Sequence, residues 1–325
     1  MSSFARRVGQ ENGRPSLADE LAANKTRQLR QRRRPYTRSV TGVAFVLPFV
    51  TLFAAFVLYP NIASFKLSFE SYSGYGSATW VGLANYRSFF AYHVFWTELW
   101  NTLFYWIVHA VILVPLALVL ALIVRSPKIK GARYWRPLIF LPQVVNLVVV
   151  SLTFKVLFST NFGVVNSLFS TNVPWLDNPS IARWVVVSLL VWEQLGFWFV
   201  VFLAGLATLD PALEEAASLD GAGVVRRVWH VILPALRPVI LFAVVIDAIY
   251  SMALYTEPNV LTAPSGQLAQ PSVATLSNLV VINLEGADFG RSAAAGWLLF
   301  VLTILVSCVI FGVYKVIGGS LTTAD

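Results

Sequence analysis

The sequence predicts an all-α, polytopic membrane protein of about six transmembrane helices. Hydrophobic residues make up 57% of its 325 positions. Charged residues make up only 12%, well below the roughly 25% that is typical of soluble domains. Apolar stretches of about 20 residues, the length that crosses a hydrocarbon core of about 30 Å, recur along the chain. These stretches do not alternate between polar and apolar residues, so they are typical of helices and not of barrel strands.

Six apolar stretches are long enough to be membrane spans, and each is almost free of charge in its middle. They cover residues 41–62, 99–124, 137–157, 183–206, 238–256 and 294–316. Together they form a predicted transmembrane domain over residues 41–317. Outer loops are predicted at residues 63–98, 158–182 and 257–293. A short cytoplasmic tail over residues 318–325 is predicted to follow.

The first 40 residues form a basic tail, with most of its arginines and lysines between residues 25 and 38. The tail has no short apolar core followed by small residues, so it is not typical of a cleavable signal peptide. We expect a disordered cytoplasmic segment that touches anionic membrane lipid. No folded surface for reading nucleic acid is visible, so nucleic acid is not an expected partner.

The positions of lysine and arginine predict the orientation of the spans, because cytoplasmic segments carry the excess of these residues. With the N-terminus inside, nineteen of the 24 fall on the cytoplasmic side and five on or near the other side. Both termini are therefore expected in the cytoplasm, and the protein in the cytoplasmic (inner) membrane. The formal net charge of +8 follows from this topology.

Several kinds of chemistry are not expected, because the residues they need are missing or scattered. The single cysteine cannot form a disulfide or a thiolate metal cluster within the chain. His93, His109 and His230 share no ligand spacing and no pairing with a nucleophile, and structural roles are expected for them. No Gly-rich loop ends in Gly-Lys-Ser or Gly-Lys-Thr. We predict no catalytic residues, no metal site and no cofactor bound by this chain, so any ATP is used by other polypeptides.

The loop over residues 207–237, between the fourth and fifth spans, is polar and strongly patterned. Asp210 followed by Pro211 is typical of a helix start, because the carboxylate accepts from free N–H groups and proline fits the first helical position. A short helix over about 211–220 is expected, and Gly221 supplies the flexible or left-handed residue that ends it.

The patterned segment here, Asp210 to Pro238, also contains acidic residues and a second helical segment. Glu214 and Glu215 fall near the positive end of the first helix, where negative charge is favourable. A second helical segment is predicted from Val224 to Leu233, with apolar residues suited to packing under the membrane domain. Pro234 is predicted to stop this segment.

Three groups of residues stand at fixed spacing in this loop: Glu215-Ala216-Ala217, Asp220-Gly221-Ala222 and Leu233-Pro234. They resemble the signature loop in the permease subunits of binding-protein-dependent ATP-binding cassette (ABC) importers. Other stretches resemble the carbohydrate-permease branch, of the maltose and glycerol-phosphate type. They include Tyr59-Pro60, Trp80-Val81-Gly82-Leu83, Asn101-Thr102-Leu103, Leu141-Pro142 and Leu203-Ala204-Gly205-Leu206.

The sequence departs from the family pattern at two places. Val228 stands where an aromatic residue is usual, although Trp229 follows it. Thr262-Ala263-Pro264 replaces the usual Thr-Gly-Gly-Pro after the fifth span. The first change is expected to alter packing only, and the second leaves the contacts of this outer loop with a binding protein open.

The resemblance implies a non-catalytic transport subunit with several partners. These are a second permease, two ATP-binding cassette ATPase subunits that hydrolyse ATP, and an extracytoplasmic solute-binding protein that delivers a small sugar. The small alanines allow a partner to approach closely, and Glu215 and Asp220 offer charges to its basic groups. The residues predicted to couple the chain to an ATPase are Glu214, Glu215, Ala216, Ala217, Asp220, Gly221, Ala222, Leu233 and Pro234.

Ionisable groups inside spans are costly and normally face a bundle interior or a cavity. Glu193 and Asp247 are such groups, and their polar and aromatic neighbours suit a sugar. A polar clamp to the paired permease is the alternative for both carboxylates. The predicted substrate pathway comprises Trp192, Glu193, Gln194, Gly196, Asp247, Tyr250, Ser251 and Asn146.

Functions of other classes stay open on the residues alone. An ion-coupled secondary transporter would also need carboxylates inside the membrane. A membrane enzyme would need clustered histidine, aspartate or serine at one membrane face, and the scattered residues do not favour it. Within the importer family, the cargo could be glycerol phosphate or another polyol.

Overall fold

The computed structural model describes residues 37–126, 131–263 and 270–316, with side chains from residue 42 onward. The two predicted tails lie outside the described residues, apart from residues 37–40. The chain divides into two compact units, Met1–Ala63 and Ser64–Asp325. Helices make up almost all of the regular structure in both.

In the first unit, helix α1 (Thr37–Phe53) continues through a π-helical turn at Ala54–Leu58 into the start of helix α2 (Tyr59–Leu67). The stretch Gly42–Leu67 is apolar enough to cross a membrane. Its apolar side chains are exposed, as in Phe45 at 83%, which is the surface that a lipid-facing span presents. The first predicted span is confirmed.

The second unit contains one small antiparallel sheet and thirteen further helices in its described part. Strand β1 (Glu70–Ser71) pairs with β2 (Thr79–Trp80), and Glu70 lies opposite Trp80. The helices that follow are α3 (Ala84–Ala91), α4 (His93–Arg125), α5 (Ala132–Phe140), α6 (Leu147–Leu157), α7 (Val164–Phe169) and α8 (Pro179–Ala207). Next come α9 (Pro211–Leu219), α10 (Val224–Arg227), α11 (Leu233–Ala235), α12 (Arg237–Met252), α13 (Thr256–Thr262), α14 (Leu276–Glu285) and α15 (Phe289–Val316).

Three continuous helices of the second unit, α4, α8 and α15, are long and apolar enough to be membrane spans. Two further spans are bent. The segment Ala132–Val144 meets α6 at 91°, and the segment Val224–Ala235 meets α12 at 69°. When each bent pair counts as one span, the described chain has up to six spans. The fold class predicted from the sequence is therefore confirmed.

The predicted third span is not one straight helix, because Pro142 and Asn146 break it. Pro142 lies in a 3₁₀ turn, and the chain becomes extended at Val145. Asn146 then begins α6, since its side-chain oxygen accepts a hydrogen bond from the N–H of Val148 at 2.9 Å.

Pro234 does not end the helix of the loop, so that part of our prediction is wrong. A π-helical turn at Val228–Ile232 precedes α11, and Leu233 donates its N–H to the carbonyl of Val228, five residues back. In a regular helix the proline ring would clash with the carbonyl four residues back, and the wider turn accommodates it.

The predicted outer loops contain ordered structure. Helices α3, α7 and α14 lie within them, and α13 begins one residue before the third. The fifth span is also shorter than predicted, because α12 ends at Met252 and a separate short helix, α13, begins at Thr256.

Helix α4 packs along α8 through two apolar clusters. One includes Leu113 of α4 with Phe199 and Phe202 of α8, and the other includes Tyr105 of α4 with Val186 of α8. Within a bilayer, close van der Waals packing of these large side chains holds together the helices that carry the candidate sites.

Candidate functional site

Helix α9 is fixed at both ends by the residues of the loop itself. Asp210 precedes the helix and accepts a hydrogen bond from the N–H of Ala212 at 2.9 Å, as predicted for a helix start. Gly221 follows the helix with φ of +76°. The N–H of Ala222 then bonds to the carbonyl of Ala217 at 3.0 Å, which closes the last turn.

An ion pair ties α9 to a membrane-spanning helix. Arg125 Nη1 lies 2.6 Å from Glu214 Oε1, and both side chains are partly buried. Arg125 is the last residue of α4, and Glu214 lies in the first turn of α9. The pair is therefore a direct link between the loop and the bundle.

The loop carries exposed apolar side chains, which we call the loop face. They are Leu219, Val224, Val225 and Trp229, each more than 60% exposed. Part of the loop face borders a surface cavity of about 590 Å³. Exposed apolar surface of this kind is typical of a site where another protein binds.

The other predicted coupling residues divide between the surface and the interior of the loop. Glu215, Ala216, Asp220 and Gly221 are exposed, whereas Ala217, Ala222, Leu233 and Pro234 are partly buried. The exposed group is available to a partner, and the partly buried group shapes the loop.

A second candidate site lies inside the second unit, where polar side chains of three helices come together. Glu193 and Gln194 of α8 are both buried. Tyr250 of α12 donates a hydrogen bond to Glu257 of α13 at 3.0 Å. Glu193 interacts electrostatically with Glu257, which connects the two pairs. We call Glu193, Gln194, Tyr250 and Glu257 the central polar cluster.

Two atoms of the central polar cluster have no hydrogen-bond partner among the described residues. They are Glu193 Oε2, an acceptor, and Gln194 Nε2, a donor. Gln194 interacts with the nearby Tyr250 hydroxyl, but no aligned hydrogen bond satisfies its Nε2. A buried polar atom without a partner costs about 1–3 kcal/mol, so a water molecule or a ligand hydroxyl that bonded to these two atoms would be stabilising.

Asp247 has its partner within this chain. Its Oδ1 lies 2.8 Å from His109 Nδ1 of α4, and both side chains are almost fully buried. The two atoms are at ion-pair distance but lack the alignment of a hydrogen bond. The pair therefore joins α4 and α12.

The remaining predicted pathway residues have different surroundings. Trp192 is 43% exposed, and its ring centroid lies 5.8 Å from that of Phe154. Ser251 is buried next to Tyr250. A Cβ at Gly196 would lie 2.5 Å from the carbonyl oxygen of Ile139, so this glycine allows α8 to approach α5. Asn146 caps α6. The role of these four residues in a substrate pathway stays a prediction.

Residues 271–274, between α13 and α14, form an irregular segment that side chains hold in place and that is buried at Val273 and Ala274. Each of its four carbonyls accepts a hydrogen bond from α4 or α8, at 2.8–3.0 Å, and the donors are Asn101, Tyr105 and Arg183. Paired carbonyls of this kind are what allow irregular backbone inside a bundle. The predicted outer loop over 257–293 is therefore partly built into the core.

Three residues of these sites were not predicted. Arg125 was counted only as a charge that sets orientation. His109 was assigned a structural role, but its pairing with Asp247 was not predicted. Glu257 lies just beyond the predicted end of the fifth span. The one local signal was His109, a polar residue in the middle of an apolar stretch.

Comparisons with known proteins agree with these features. Residues 113–322 match the family described as the binding-protein-dependent transport system inner membrane component. The chain is 32% identical over 279 residues to the lactose transport system permease protein of Rhizobium radiobacter, covering 84% of this chain and 92% of the relative. It is 29% identical over 270 residues to the sn-glycerol-3-phosphate transport system permease protein of Yersinia pestis, covering 82% and 91%.

The fold is similar to that of a solved bacterial ABC transporter involved in the import of the acidic polysaccharide alginate. The TM-score is 0.75 at 24% identity, covering 87% of this chain and 97% of that chain. Another structure of the alginate transporter, in complex with an alginate pentasaccharide-bound periplasmic protein, also matches with a TM-score of 0.75. The chain belongs to the family of inner membrane components of binding-protein-dependent transport systems.

Proposed function

We propose that this chain is the membrane-spanning permease subunit of an ATP-driven importer that carries a sugar or a related polyol. The observation that carries the proposal is α9, an exposed helix that the Arg125–Glu214 pair ties to a membrane span. The relatives named for lactose and sn-glycerol-3-phosphate transport support a cargo of this class.

The loop over 207–237 docks on a separate ATPase subunit, which hydrolyses the ATP. The loop face supplies apolar contact area, and the exposed Glu215 and Asp220 supply charges at its rim. Closure of the ATPase subunits moves α9, and the ion pair at Glu214 passes this movement to α4.

The complete importer contains a second, similar permease, two ATPase subunits and an extracytoplasmic solute-binding protein. Both termini and the loop over 207–237 lie on the cytoplasmic side, as the distribution of lysine and arginine favours. The alginate transporter, which was solved with a periplasmic protein, is the structural precedent for the binding protein.

The cargo passes along the face where α8 and α12 bring the central polar cluster together. Carboxylate, amide and hydroxyl groups suit sugar hydroxyls, and the partly exposed Trp192 and Tyr250 suit the apolar faces of sugar rings. Transport then requires two conformations that open to opposite sides, and ATP binding and hydrolysis shift the balance between them.

A matched pair of glycine variants tests the coupling role. A side chain at Gly221 or at Gly223 would meet no atom within 4 Å, but Gly221 has φ of +76° and Gly223 has φ of −63°. Valine is therefore strained only at Gly221, by about 1–3 kcal/mol. We expect Gly221→Val to reduce ATP-driven uptake into liposomes at least several-fold, and Gly223→Val to retain it.

Membrane insertion and co-purification with the partner subunits serve as controls for both variants. Equal uptake by the Gly221→Val and Gly223→Val complexes would contradict the coupling role. Uptake driven by an ion gradient in the absence of the ATPase subunits would instead indicate a secondary transporter.

A further inference from the structure

The centre of the second unit is acidic. Glu193, Asp247 and Glu257 are all buried there, on α8, α12 and α13. The charged groups that interact with Glu193 are Glu257 and His109, and neither is a lysine or an arginine. His109 is the single basic side chain among the described residues of this region, and it lies 2.8 Å from Asp247. It is therefore not available to a ligand.

Three basic side chains on or beside the helices around the cluster have other partners. Arg125 pairs with Glu214, Lys155 donates to the carbonyl of Ala263, and Arg183 donates to the carbonyl of Ser272. A carboxylate or phosphate on the cargo would therefore find no arginine or lysine at the central polar cluster, although these residues are the usual partners of such anions.

The surroundings of Glu257 disfavour negative charge. Burial raises the pKa of Glu257 above the usual range of a carboxyl group. An anionic cargo at the same place would meet the same loss of solvation.

The two unpartnered atoms have complementary roles. Glu193 Oε2 can only accept a hydrogen bond while the carboxyl is ionised, and Gln194 Nε2 can only donate one. An alcohol hydroxyl does both, so neighbouring hydroxyls of a sugar can satisfy the two atoms together. A carboxylate accepts only, so it cannot satisfy Glu193 while that carboxyl is ionised.

We infer that Glu193 and Gln194 make this chain selective for an uncharged, polyhydroxylated sugar and against uronate-containing or phosphorylated cargo. The inference rests on the proposed function and names the cargo class of the same site. It separates this chain from the relatives named for glycerol phosphate and from the alginate transporter, because both of those cargoes are anionic.

Direct binding to the purified chain in nanodiscs tests the inference without the selectivity of a binding protein. The probes are methyl galactoside and methyl galacturonide. They differ at one position, where the galactoside has a CH₂OH group and the galacturonide has a carboxylate. Saturation-transfer NMR detects the weak binding expected of a permease. We expect binding of the galactoside and at least tenfold weaker binding of the galacturonide.

The variant Glu193→Gln gives the sharper result, because it removes the charge and keeps the shape. For the galactoside we expect roughly tenfold or greater loss of affinity, since a hydrogen bond to a charged group is lost. Glu285→Gln, a matched change at an exposed glutamate outside the cluster, should leave binding unchanged. Assembly with the partner subunits at the wild-type level excludes misfolding.

Tighter binding of the galacturonide than of the galactoside would overturn the inference. The same holds for binding of neither probe, and for a Glu193→Gln variant that binds the galactoside as well as the wild type. The proposed function is judged separately, by ATP-driven uptake in the complete importer. An importer that moves an anionic sugar with ATP keeps the proposed function and loses the inference.

Discussion

His109 and Asp247 form a buried pair between α4 and α12, with Nδ1 and Oδ1 2.8 Å apart and almost no exposure of either side chain to solvent. An isolated charge at such a position is costly, and a partner of opposite charge offsets only part of that cost. The pair therefore helps to hold the two helices in one arrangement, but its net contribution to the free energy of unfolding is small.

Removing one partner should be worse than removing both. We expect Asp247→Ala to lower the free energy of unfolding by about 3–5 kcal/mol, because His109 is left buried without compensation. The double variant His109→Leu/Asp247→Leu should lose much less, since apolar replacement of a buried pair is often close to neutral. Thermal unfolding of the purified protein measures both, and a double variant as unstable as Asp247→Ala would argue against a coupled pair.

At the level of the helices, two of them accommodate a proline in the same way. Pro60 and Pro234 each follow a π-helical turn, in which Tyr59 and Leu233 donate to a carbonyl five residues back. Wider turns of this kind are often found at functional positions. In the loop, the turn precedes the 69° bend that leads into α12. The loop over 207–237 and the fifth span are thus joined by a bent but continuous path.

The second connection of the loop to the bundle is the pair between Arg125 and Glu214. Because both side chains are partly exposed, the pair should contribute no more than about 1 kcal/mol to stability. We expect Arg125→Glu to reduce ATP-driven uptake several-fold with little change in thermal stability. The reversed pair Arg125→Glu/Glu214→Arg should restore most of the uptake, because the link between α4 and α9 is remade.

Arg136→Glu serves as the matched control for this experiment, since Arg136 is exposed and also lies in the predicted cytoplasmic stretch after α4. Its uptake should stay close to that of the wild type. If charge reversal gives no recovery, the position matters for a reason other than the link to α9.

For the whole molecule, the proposed mechanism requires the loop over 207–237 to face the cytoplasm. Single cysteines in a Cys308→Ala background test this orientation, because Ser218 and Ser77 are both exposed and lie in loops predicted on opposite sides. We expect an impermeant thiol reagent to label Ser218→Cys only in inside-out vesicles. Labelling of Ser77→Cys should occur only in right-side-out vesicles, and the opposite pattern would exclude docking on cytoplasmic ATPases.

Features that depend on neighbouring residues were predicted well from the sequence. The start of α9 at Asp210 and the left-handed Gly221 appear as expected, because a cap and a glycine turn are made by hydrogen bonds within a few residues. The prediction that Pro234 stops the helix was wrong, since the rule assumes a regular helix and the π-helical turn changes the geometry.

Features that join distant parts of the chain were not predictable in this way. Glu257 was assigned to the outer loop over 257–293, and it lies there on the separate short helix α13, whose packing against α8 and α12 no local pattern specifies. The pairing of His109 with Asp247 joins residues on two separate spans, and no local pattern specifies which spans are adjacent. The same is true of the bonds from Asn101 and Tyr105 to the carbonyls of residues 271–274.

The sequence by itself determined the membrane fold class, the approximate number of spans, the family and the capped helix of the loop. These follow from the solubility of side chains in lipid and from short-range hydrogen bonding, and both depend on residues that are close together in the sequence. Only the tertiary structure decided which polar groups share the interior and which of them lack a partner. That depends on how helices pack side by side, and the partners of a buried charge are chosen by that packing.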